Sequence, residues 1–146
     1  ERIVPATMKA RPLIHGRFVM AQRKGHPRGN VPLDLDAYCG LQHVLVTEVG
    51  GSMRGYVDDN LASQGRQRNV VLSVEKFMLV PEILRNSNLV CTVPSMLMSR
   101  FADVLDMFEL PFSDRGFGLR LAWHPRNHGD PAVSWLRALL EKVVPG

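Results

Sequence analysis

Apolar residues fall along this chain in two alternating patterns. Short crowded runs read as strands: Arg17-Phe18-Val19-Met20-Ala21-Gln22, His43-Val44-Leu45-Val46-Thr47, Asn69-Val70-Val71-Leu72-Ser73-Val74 and Leu89-Val90-Cys91-Thr92-Val93. The third and fourth have continuous apolar centres, the pattern of strands buried on both faces. In Gly118-Leu119-Arg120-Leu121-Ala122-Trp123 the residues Leu119, Leu121 and Trp123 alternate with Arg120 and Ala122, so one face of that strand is apolar. Residues 1–16 hold Pro5, Pro12 and Gly16 and read as an irregular lead-in with a short extended piece at Leu13-Ile14.

Between these runs the apolar spacing becomes helical. Leu33 to Cys39 follows Pro32 and carries Asp34 and Asp36 at its positive N-terminal end. Val57 and Leu61 stand four apart in a helix over 53–63, with Gly65 as its C-terminal stop and Arg66-Gln67-Arg68 as a polar turn. Phe77, Val80, Ile83 and Leu84 share one face, with Pro81 tolerated in the first turn. Pro94-Ser95 opens a helix with Leu97, Phe101, Val104 and Leu105 inside, and residues 108–117 read as a loop. The last helix is the clearest: Asp130 is the N-cap, Pro131 takes the first position, and Val133, Leu136, Leu139, Leu140 and Val143 form one stripe. Strands that alternate with helices predict a mostly parallel sheet covered on both sides, with the first and last strands at an edge or in a connecting role.

Composition changes this picture little. The chain has 146 residues, enough for one domain with a real core at 45% hydrophobic content, and no apolar run long enough to span a bilayer. It opens on Glu1-Arg2-Ile3-Val4-Pro5 without a signal-peptide pattern, as a cut inside a longer protein would. The net charge of +4 is concentrated at one end. Residues 1–29 hold seven basic side chains against Glu1 alone, whereas the remainder holds eleven basic and thirteen acidic residues. The basic surplus therefore belongs to a solvated first segment and does not argue for a nucleic-acid surface. Cys39 and Cys91 sit far apart among apolar neighbours, as buried free thiols do.

Several chemical motifs fail on inspection. Gly50 to Gly55 has the spacing of a phosphate loop, but Tyr56-Val57 stand where Lys and Ser/Thr are needed. His124 and His128 are four apart, yet Pro125 keeps them off one helical face and there is no third ligand. Ser52 lies outside a G-x-S-x-G elbow, and Asp58-Asp59 point to different faces. No metal, cofactor or catalytic set is predicted. The constructive signal is strand, glycine loop and helix over 42–65, because in open α/β sheets ligands collect at the carboxyl ends of strands. Gly50 to Arg54 is expected to form one wall of a small-molecule cleft.

The order of these pieces also resembles a known family. Arg11-Pro12-Leu13, Arg17-Phe18-Val19 and Arg23-Lys24-Gly25-His26-Pro27 are similar to the hinge passage of the effector-binding domain of LysR-type transcriptional regulators. The resemblance continues through Leu33-Asp34-Leu35, His43-Val44-Leu45-Val46, Leu89-Val90-Cys91-Thr92-Val93-Pro94 and Leu121-Ala122-Trp123-His124-Pro125-Arg126, and ends in Asp130-Pro131-Ala132 with Trp135-Leu136-Arg137. It points to the branch of nodulation and aromatic-catabolism regulators. It implies a type II periplasmic-binding-protein-like α/β fold of two lobes, a small aromatic or organic-acid effector bound between them, a homo-oligomer, a cytoplasmic location, and DNA contact only through an N-terminal winged helix-turn-helix that this chain lacks.

By the same resemblance residues 1–23 are the tail of lobe one and a hinge strand, 24–117 are lobe two, and 118–146 are the returning hinge strand and C-terminal helix. The effector-binding positions carried over are His43, Thr47, Glu48, Gly50, Gly51, Lys76, Phe77 and Thr92. Related aromatic-acid sensors have a histidine where Lys76 stands, and a lysine there suits a carboxylate or phenolate. Phe77 also fits the helical stripe as a core residue, and His43 also suits a structural bond to a neighbouring carbonyl. An extracytoplasmic solute-binding protein of the same fold is the alternative.

Overall fold

A computed structural model describes residues 4–47 and 51–144. The elements are β1 (Lys9–Gly16), β2 (Phe18–Arg23), α1 (Leu35–Gly40), β3 (Gln42–Val46), α2 (Tyr56–Ser63), β4 (Asn69–Val74), α3 (Val80–Arg85), β5 (Val90–Pro94), α4 (Ser95–Met98), β6 (Leu105–Glu109), β7 (Phe117–Trp123) and α5 (Pro131–Val143). Contacts divide them into two units. One is residues 17–115, and the other joins 4–16 to 116–144.

The larger unit is built on a five-stranded sheet in the order β4-β3-β5-β2-β6. β3 is parallel to both β4 and β5, whereas β2 is antiparallel to β5 and β6. Four strands thus run one way and β2 runs against them. The two-residue period of β2 and β5 sends side chains alternately to the two faces. Val19, Ala21, Cys91 and Val93 meet Val80 and Leu84 of α3 and Met98 of α4 on one side. Met20 and Val90 meet Tyr38 of α1 with Val57 and Leu61 of α2 on the other. The sheet is therefore covered on both faces.

Four strand assignments differ from the sequence expectation, the first being β1, an eight-residue strand over Lys9–Gly16 where an irregular lead-in with a short extended piece at Leu13-Ile14 is expected. β2 is an interior strand, neither edge nor connection, and its residues 19–22 are buried because both neighbours pair with it. β4 is the edge instead, with Val71 and Leu72 exposed despite their apolar run. Its pairing with β3 shifts register between His43 and Val44, leaving Val71 as the extra residue of an edge bulge. The helix expected from Ser95 to Leu105 ends at Met98, followed by a 3-10 turn at Ser99–Phe101. Leu105 to Glu109, read as helix end and loop, is the edge strand β6, with Leu105 opposite Arg23 and buried.

The basic stretch at 23–28 fastens the unit together. The Arg23 guanidinium donates to the Ser87 carbonyl, the Asn88 side chain and the Lys24 and Gly25 carbonyls. Lys24 pairs with Asp106 at 2.9 Å, and Arg28 lies over the Phe108 ring while donating to Gln22 and the Val31 carbonyl. These cations are spent on local acceptors. Cys39 and Cys91 are free thiols, and burial pushes the Cys91 thiol up to about 12, which keeps it unreactive at neutral pH.

In the smaller unit β1 and β7 pair antiparallel, Lys9 opposite Trp123 and Gly16 opposite Phe117, with a bulge between Pro12 and Ile14. Gly116 has φ +68°, a left-handed turn that favours glycine just before β7. The Asp130 carboxylate accepts from the Val133 N–H at 3.0 Å and Pro131 opens α5, as its sequence predicts. Replacing Asp130 with alanine removes that cap. It is expected to cost about 1 kcal/mol, read as a lower midpoint in urea unfolding with an unchanged slope. Among the described residues no helix is long and apolar enough to cross a membrane.

Candidate functional site

A recess of about 100 Å³ opens in the larger unit, lined by Phe18, Val44 to Val46, Gly55 to Val57, Arg68, Phe77 and Thr92. β3 supplies its floor, the start of α2 one wall, and Phe18 and Phe77 add aromatic surface. The Asp58 side chain accepts the Gly55 N–H at 2.8 Å, which starts α2 at Tyr56 rather than at residue 53. The Tyr56 hydroxyl donates to Asp114 at 2.9 Å and accepts from the Arg115 N–H, while the Arg115 guanidinium covers its ring.

Behind the apolar lining lies a connected polar array. Arg68 meets Asp58 in a two-point pair, Nε to Oδ1 at 2.8 Å and a terminal nitrogen to Oδ2 at 3.0 Å. The Arg68 side chain is 2% exposed and that of Asp58 12%. Arg68 also donates to the Tyr38 hydroxyl at 3.3 Å, and that hydroxyl lies 2.6 Å from Thr92 Oγ1. Burial alone would raise the Asp58 carboxyl, but the bonds from Arg68 hold it below the ordinary aspartate value. Burial alone would lower Arg68, and the bonds to Asp58 hold it up. The pair is thus charged and internally neutralised. Burial pushes the Tyr38 phenol above its ordinary value, so it keeps its proton.

Of the residues proposed from sequence, the recess brings together Phe77 and Thr92. Phe77 also packs against the core cluster beneath α3. His43 is fully buried and lies outside the lining. Its Nε2 donates to the Tyr38 carbonyl at 2.7 Å, because a carbonyl can only accept. Thr47 follows the lining residue Val46, and its N–H donates to the Val74 carbonyl. Lys76 precedes Phe77 and is exposed, and Gly51 is exposed with φ +77°. Glu48 and Gly50 lie outside the described residues. His124 and His128 have local duties: His124 accepts the Arg126 N–H, and His128 accepts from the Trp123 indole while stacking on it.

Sequence reasoning passed over Arg68, Asp58, Tyr38 and Tyr56. Arg68 reads as a turn residue and Asp58 only as a helix residue facing away from Asp59, and their pairing across ten positions follows no period. The one available signal was an acid three residues after Gly55, the position from which a side chain reaches back to a helix start.

The LysR substrate binding domain model matches residues 1–145. The chain belongs to the LysR substrate-binding-domain family. It is 32% identical over 132 residues to the HTH-type transcriptional activator NahR of Pseudomonas putida, covering 89% of this chain and 44% of NahR. The chain thus spans less than half the length of that relative. The regulatory domain of MexT, a transcriptional activator in Pseudomonas aeruginosa, superposes with a TM-score of 0.78 at 30% identity, over 97% of this chain and 68% of that one. The BenM effector-binding domain with its effector benzoate has a TM-score of 0.71 at 14% identity, over 98% of this chain and 66% of that one. This LysR domain therefore has the periplasmic-binding-protein-like α/β fold that the family resemblance implies, with β2 as the reversed strand of its main sheet.

Proposed function

We propose that this LysR domain is the effector-sensing part of a DNA-binding transcription regulator and takes a small aromatic or organic-acid inducer without transforming it. The observation that carries the reading is the recess itself, a concave apolar surface with aromatic side chains in which the Arg68 charge is already matched by Asp58. Such a wall holds a ring by burial and orients it with few polar contacts. The benzoate-bound fold relative supports an aromatic acid as the ligand class.

In this reading residues 24–117 are lobe two, 1–23 and 118–146 are the hinge-side pieces, and the facing wall of the cleft comes from sequence outside this chain. Phe77 and Thr92 contact the inducer directly, with Lys76 and Thr47 beside them. The regulator acts in the cytoplasm as a homo-oligomer and reaches DNA through an N-terminal winged helix-turn-helix. Inducer binding biases the relative lobe orientation and so the spacing of the DNA-binding heads.

Calorimetric titration of the full-length regulator with benzoate, salicylate and a flavonoid tests this. At least one is expected to bind and to be recovered unchanged, and Lys76→Ala is expected to weaken an acid by up to roughly fivefold, the range of an exposed ion pair. Absence of binding by all three, or turnover of any, defeats the reading.

A further inference from the structure

The polar array behind the recess has a direction. Arginine carries only N–H donors, so the Tyr38 oxygen must be the acceptor in its contact with Arg68. Tyr38 then has one proton to place. Were Thr92 to donate to Tyr38, that proton would face a buried guanidinium with no acceptor among the described residues, and a buried donor left unpaired is costly. The phenol therefore donates to Thr92 Oγ1 across 2.6 Å, and burial keeps it protonated to do so. Thr92 is left with its own hydroxyl proton. It lines the recess and is 9% exposed.

We infer that Thr92 presents a hydrogen-bond donor to the effector, its direction fixed by the Asp58–Arg68–Tyr38 chain, so that the site selects ligands bringing an acceptor such as a carboxylate or ketone oxygen. This rests on the sensing reading and refines it. Thr92 touches the ligand, whereas Tyr38 and Arg68 are positioning residues. The chain of donors also removes the need for a free cation at the recess floor, since the one cation there is matched by Asp58.

The test is calorimetry on the full-length regulator with three single-ring probes. Benzoate and acetophenone only accept, and aniline chiefly donates. Wild type is expected to prefer the two acceptors. Thr92→Val, which keeps the shape and removes the hydroxyl, is expected to weaken benzoate by roughly tenfold to a hundredfold, the span of a hydrogen bond to a charged group. Thr92→Ser restores binding to within about threefold, a loss below one hydrogen bond. Tyr38→Phe frees Thr92 to turn and accept, so the preference for acceptors over aniline narrows, a change that general destabilisation would not produce. Aniline binding wild type as tightly as the acceptors, or Thr92→Val leaving benzoate unaffected, overturns the donor assignment while the sensing reading stands. Failure of all three probes to bind wild type overturns the donor assignment, and the sensing reading falls with it only when salicylate and the flavonoid fail as well.

Discussion

Replacing Arg68 with alanine is expected to destabilise the protein by about 3–5 kcal/mol, the range for breaking a buried ion pair from one side. The Asp58 carboxylate keeps the Gly55 N–H but loses both guanidinium bonds at a position almost closed to water. The Tyr38 hydroxyl loses its donor at the same time. The double variant Asp58→Asn with Arg68→Met is expected to lose much less, because removing both charges leaves no uncompensated ion and methionine fills part of the space. Urea unfolding of wild type, Asp58→Asn, Arg68→Met and the double variant closes the cycle. A single-variant loss under 1 kcal/mol, the range of exposed pairs, would mean that water reaches the site and that the array does not organise the recess.

The position of that pair explains what the sequence conceals. β5 was legible because a strand buried on both faces is dominated by apolar residues, here all but Thr92, and residues 90–94 are all buried. α5 was legible because its cap and first-turn proline act locally, within four residues. β4 has an equally apolar run, yet strand order places it at the edge, and order is decided by which strands find partners far away in sequence. β2 illustrates the converse: Arg17, Gln22 and Arg23 at its ends suggest an edge, but Gln22 is buried and donates to the Gly29 carbonyl. β6 was missed because Val104 and Leu105 fit a helical stripe as well as a strand start, and antiparallel pairing with β2 decides between them. At the site, Phe77, in the 3-10 turn after β4, and Thr92, within β5, line the recess and are reached from sequence only through the family resemblance, whereas the Asp58–Arg68 pair depends on a meeting of two elements that no local pattern encodes.

Acid is expected to weaken the larger unit through His43 well before it reaches the carboxylates. The ring is fully buried, and burial is the main reason its pKa falls from 6.5 to about 4; the nearby Arg68 charge adds to the fall and the bond to the Tyr38 carbonyl opposes it. Its Nδ1 has no hydrogen-bond partner among the described residues, so a proton taken up there would be both desolvated and unpaired. The folded-state value lies below the unfolded one. The stability that neutral His43 contributes is therefore complete above pH 6.5 and is lost as the pH falls toward 4, because in that window the unfolded chain binds a proton that the folded chain refuses. A difference of that size corresponds to roughly 3 kcal/mol at about 1.4 kcal/mol per unit. Denaturant unfolding at intervals from pH 7.5 to 4.5 should show the decline, and the ring signals of His43 should stay those of the neutral form until the lowest points. His43→Leu keeps the other four histidines and is expected to flatten the slope between pH 6.5 and 4.5 even though it is less stable at pH 7. A wild-type curve that is level across this window, or a His43 ring that titrates near 6.5, would place the ring in contact with water and return it to the set of groups a ligand could touch. The Asp58 carboxyl, held low by Arg68, gives up its contribution only at more acid pH, so the two losses separate on one titration.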